Sequence, residues 1–83
     1  MYIHIGKDVV VQDSDIIGIF DLDNATVSKR TREFLNINEK KGNVVNVAED
    51  LPKTFIICKK NSNTVIYLSQ ISSSTLRRKK YGQ

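Results

Sequence analysis

The chain has no tryptophan, and among its 83 residues there is one cysteine, one histidine, one proline and one methionine. Each scarcity excludes something. A single cysteine, Cys58, allows no intramolecular disulfide; it lies in the apolar run Phe55-Ile56-Ile57-Cys58 and reads as a buried, reduced thiol. One Cys and one His cannot build a closed zinc site. His4 has no orienting partner in view, and Ser14, Ser28 and Ser69 sit in no nucleophile context, so no catalytic residue is expected. The four glycines are scattered singly and start no phosphate-binding loop. The acidic stretches Asp13-Ser14-Asp15 and Asp21-Leu22-Asp23-Asn24 lack the ligand spacing and closing glutamate of a calcium loop. No metal, cofactor or small-molecule substrate is therefore expected. No apolar run approaches the roughly 20 residues that span a bilayer, and Met1–Ile5 does not read as a signal peptide. A cytoplasmic protein with no membrane partner is expected.

Length permits one domain, residues 1–83. A chain this short buries only about 60–65% of its unfolded surface. Self-association is a ready remedy for so thin a core. The net charge of +4 hides a division. Up to residue 25, Lys7 stands alone against Asp8, Asp13, Asp15, Asp21 and Asp23, a balance of −4. Beyond it, 12 cations face Glu33, Glu39, Glu49 and Asp50, a balance of +8. Such a split suits attraction of a polyanion, or head-to-tail contact between copies.

Tyr2-Ile3-His4-Ile5 alternates as a half-buried strand does, Gly6-Lys7-Asp8 reads as a turn, and Val9–Gln12 completes a hairpin. After Asp13-Ser14-Asp15, Ile16–Phe20 forms a third strand, in which Gly18 signals a bulge or close approach. A helix follows, capped by Asn24 or Thr26, with Val27, Thr31, Phe34, Leu35 and Asn38 on one face. Lys29, Arg32, Asn36 and Glu39 fall on its outer face, and Gly42 stops it. Val44, Val45 and Val47 make a short fourth strand. Pro52 precedes a fifth, Thr54–Lys59; Lys60-Asn61-Ser62-Asn63 is a hairpin turn; Thr64–Ser69 is the sixth. Ser72-Ser73-Ser74 caps a short final helix whose basic end, residues 77–83, should fray. The order ββ-β-α-β-ββ-α predicts an α/β protein of the α+β type, with a small, mostly antiparallel or mixed sheet and one helix packed on it.

The basic clusters are the candidate function. Lys29, Arg30 and Arg32 start the first helix, where cations oppose the dipole by a few tenths of a kcal/mol each. Lys40-Lys41 ends it, Lys59-Lys60 edges the last hairpin, and Arg77-Arg78-Lys79-Lys80-Tyr81 closes the chain. Phosphates would use such groups, as would acidic residues of a neighbouring copy. No helix-turn-helix, zinc finger or basic zipper is visible.

Tyr2-Ile3-His4-Ile5-Gly6, Val9-Val10-Val11, Asp15–Asp21 and Leu68-Ser69 through Ser72-Ser73-Ser74-Thr75-Leu76-Arg77 resemble the RemB-like branch of the RemA/RemB family of bacterial extracellular-matrix regulators. The resemblance covers essentially the whole chain. It implies a LytTR-like fold, a homo-oligomeric ring and DNA-binding transcriptional regulation of biofilm-matrix genes, next to the nucleoid. The arginines of the RemA branch thought to touch DNA fall on Asp15, Leu51 and Pro52 here, and a carboxylate repels phosphate. The candidate contacts to double-stranded DNA are therefore Lys29, Arg30, Arg32, Lys53, Arg77, Arg78, Lys79 and Lys80. The alternative is a non-enzymatic interaction or structural oligomer that binds no DNA, its cations serving subunit contacts.

Overall fold

The computed structural model describes residues 1–22 and 28–82. Strands β1 (Tyr2–Gly6) and β2 (Val9–Gln12) form an antiparallel hairpin that stands as its own two-stranded sheet. A single 3-10 turn, Asp13–Asp15, leads to β3 (Ile16–Asp21). Helix α1 (Lys29–Lys40), β4 (Val44–Asn46), β5 (Thr54–Lys60), β6 (Asn63–Ser69) and α2 (Ser73–Tyr81) complete the chain. The second sheet has the order β3-β5-β6-β4, with β4 parallel to β6 and the other pairs antiparallel. The protein is thus α+β with small mixed sheets and two helices.

Strand alternation gives the four-stranded sheet two unlike faces. On one, Ile16, Ile19, Ile56 and Cys58 join Ile3, Ile5 and Val11 of the hairpin and Leu76 of α2 in the main core. Ser69 Oγ donates to the Ile5 carbonyl at 2.6 Å in the interior, and Ile71 N–H donates back to Ser69 Oγ at 3.0 Å. Gly6 allows the hairpin to close on the sheet, since a Cβ there would overlap the Val47 carbonyl oxygen. Gly18 sits beside a register shift in the β3–β5 pair, and the Phe20 ring leans back over its Cα. The turn between β5 and β6 places Asn61 and Ser62 both at positive φ, 51° and 70°, the primed geometry that matches strand twist.

The structure departs from the sequence-based expectations at several points. Ser28, not Asn24 or Thr26, caps α1: its Oγ accepts from Thr31 N–H at 3.1 Å. Asn24, Thr26 and Val27 lie outside the described residues. The expected packed face of α1 is not buried: no residue of the helix is, and Phe34 keeps 39% and Ile37 52% of its surface. Val47 falls beyond β4, where its N–H still bonds the Leu68 carbonyl at 2.9 Å and its side chain is buried. Helix α2 runs to Tyr81 and closes on Gly82 at φ 72°, with Leu76 docked in the core.

Candidate functional site

The eight candidate cations fall into three groups. Lys29, Arg30 and Arg32 are exposed on the first turns of α1, a segment with no acidic residue in its first turn. Their helix lies over the face of the sheet opposite the main core, because Arg30, Thr31 and Phe34 line a groove with Phe20, Phe55 and Ile57. Lys29 and Arg32 lie three residues apart and share the outer side of the helix. Lys53 is exposed just before β5; its carbonyl accepts from Leu22 N–H at 2.7 Å and its own N–H donates to Ser69 at 2.8 Å. Both contacts fix the backbone and leave the ammonium in solvent.

The third group is on α2, against the core-bearing face. Two of its cations hold the helix in place. Arg77 Nη2 donates to the Ile19 carbonyl at 2.9 Å, and Lys80 Nζ donates to the Asp13 carbonyl at 2.7 Å. Both satisfy backbone oxygens of β3 or the turn before it, contacts 58 and 67 residues apart in sequence. Sequence reading missed this role; no local signal distinguishes Arg77 and Lys80 from Arg78 and Lys79. Arg78 reaches only Thr75 Oγ1 on its own helix, at 3.3 Å. Lys79 is exposed. Lys80 also stands over the Tyr81 ring, 5.4 Å from its centroid. Lys29, Arg30, Lys53 and Lys79 have no carboxylate partner among the described residues.

One copy therefore carries basic surfaces around the start of α1 and on α2, with Lys53 before β5 as a third group.

Asp15, one of the positions where an arginine was absent, lines a cleft of about 350 Å³ between the hairpin and the β5–β6 turn, together with Tyr2, Val10, Cys58, Lys60 and Tyr67. Burial, with the Asp15 charge second, pushes the Cys58 thiol up to about 11, so it is a protonated core side chain at neutral pH and not a nucleophile. Burial also raises the Tyr67 phenol. The described residues contain no group of three or more His, Cys, Asp or Glu placed to hold a metal. None of their helices is long and apolar enough to cross a membrane.

Leu51, which with Pro52 makes up the other two of those positions, tips the loop between β4 and β5 and keeps 80% of its surface. The loop is clamped. Gln70 Oε1 accepts from the N–H groups of Glu49 and Asp50 at 2.8 and 3.0 Å, and Asp50 Oδ1 accepts from Leu51 N–H at 2.8 Å.

The family model described as RemA-like, Extracellular matrix regulatory protein A-like, matches residues 2–79. The chain is 42% identical over 79 residues to Extracellular matrix regulatory protein B of Bacillus subtilis (strain 168), covering 95% of this chain and 89% of that one. No solved structure matches it.

Proposed function

Because the chain belongs to the RemA-like family of extracellular matrix regulatory proteins, we propose that it is a non-enzymatic, cytoplasmic regulator of matrix genes that binds double-stranded DNA as a homo-oligomer, possessed of a LytTR-like fold. The observation that carries the DNA part is the state of the cations once the chain has folded. Lys29, Arg30, Lys53 and Lys79 stay exposed and unpaired with acid among the described residues. Lys29 and Arg30 sit against the unfavourable end of a helix dipole. Each copy presents these basic surfaces, so an assembly repeats them and gains avidity from weak phosphate contacts.

The test is a gel shift on promoter-length DNA at low and moderate salt. Retention should fall steeply with salt, and a Lys29→Glu, Lys79→Glu double variant should lose it while keeping its fold. Absence of a shift at micromolar protein in low salt would count against DNA binding.

A second reading, an interaction oligomer without nucleic acid, draws on Arg77 and Lys80, whose internal hydrogen bonds leave half of the α2 cluster engaged in the fold. Under it, the double variant changes the mass of the assembly and not its retention on DNA.

A further inference from the structure

Two surface features have no internal occupant among the described residues, and each supplies what the other lacks. The first is the groove between α1 and the open sheet face. It measures about 310 Å³ and is lined by Phe20, Arg30, Thr31, Phe34, Phe55 and Ile57. Phe20 and Phe55 are register partners whose rings stack at 4.9 Å and 20°. That stack forms the floor, yet Phe20 retains 43% of its surface. The wall is an amphipathic helix with no buried residue, although an isolated 12-residue helix is marginal in water without a packed face. Among the described lining residues Arg30 carries the one charge, and it is positive.

The second feature is the Glu49–Leu51 loop. Leu51 is an apolar knob standing almost wholly in solvent, directly after two exposed carboxylates. Three backbone-to-side-chain hydrogen bonds and the following Pro52 hold the loop in one shape, so little ordering entropy remains to be lost on contact. A rigid apolar anchor entering a pocket is the geometry of an interface hot spot.

The geometry points to a contact between copies in which Leu51 of one chain enters the Phe20–Phe34 groove of another, with Glu49 and Asp50 meeting Arg30 at its rim. The occupant is a second copy because the knob, its acidic flank and the basic rim all belong to this chain and are complementary in charge and polarity. Every copy offers both halves. Arg30 then faces carboxylates in the assembly, and the phosphate-contacting role rests on Lys29, Lys53, Arg78 and Lys79. The contact rests on the homo-oligomeric part of the reading above and names the surfaces that build it.

Light scattering on the full chain after size exclusion tests it. The unsubstituted protein should run as a multiple of the chain mass. Leu51→Asp, at a site too exposed to affect folding, should weaken self-association by about tenfold or more. Arg30→Glu should do the same, and Arg30→Glu combined with Asp50→Arg should restore assembly. Unchanged mass for Leu51→Asp overturns the contact and assigns the groove to a different partner. A monomeric unsubstituted protein overturns it too. DNA retention is read separately: a protein that assembles through Leu51 but shifts no DNA upholds this contact and defeats only the nucleic-acid reading.

Discussion

Ser69 Oγ donates a hydrogen bond to the Ile5 carbonyl across 64 residues of sequence, at 2.6 Å, in the buried seam where the N-terminal hairpin meets the last strand of the sheet. The same oxygen accepts from Ile71 N–H, so one hydroxyl serves strand, hairpin and the approach to α2. Ser69→Ala leaves the Ile5 carbonyl unsatisfied in the interior. The expected loss is about 1–3 kcal/mol, read from the urea midpoint; a midpoint unchanged from the parent would show that water enters the seam.

The β5–β6 turn holds Ser62 at φ 70°, a region that a side chain tolerates poorly and glycine enters freely. Ser62→Gly should therefore stabilise the protein by about 0.5–1 kcal/mol despite the added freedom of the unfolded chain. Thermal unfolding measures it, and a lower Tm would contradict the turn geometry.

The cations of α2 should separate by role. Arg77→Ala and Lys80→Ala each release a charged donor from a backbone oxygen and should cost about 1–2 kcal/mol of stability. Lys79→Ala should stay within about 0.5 kcal/mol of the parent, as exposed sites do. If DNA is bound, Lys79→Ala lowers retention and the salt slope without a stability change. Equal stability losses at all three positions would refute the anchoring roles.

Cys58 sets a pH dependence on the alkaline side. The folded thiol releases its proton near 11 and the unfolded one near the ordinary 9.0. Below 9 both states hold the proton and the full contribution is present. Between 9 and 11 the unfolded chain binds fewer protons, so stability falls as pH rises. Urea midpoints across that window should decline more steeply for the parent than for Cys58→Ala. Parallel declines would place the effect on other groups.

The hairpin at Lys60–Asn63, the alternation of β1, the stop at Gly42 and the serine-led start of α2 were legible because each is written in a few adjacent residues. Periodicity, turn chemistry and capping act over that range. The parallel pairing of β4 with β6, the separation of the hairpin into its own sheet and the bare face of α1 were not. Nor was the difference between Arg77 and Arg78, adjacent cations of one helix.

By itself, then, the sequence determined the segments, the scarcity of catalytic and metal-binding groups, and a surplus of positive charge. Tertiary structure alone decided which cations fasten α2 to β3 and which remain in solvent, and it divided them between two faces. The physical reason is that a carbonyl such as that of Ile19 or Asp13 comes within reach of a side chain far along the chain only after burial of Leu76 and Ile56 has closed the core.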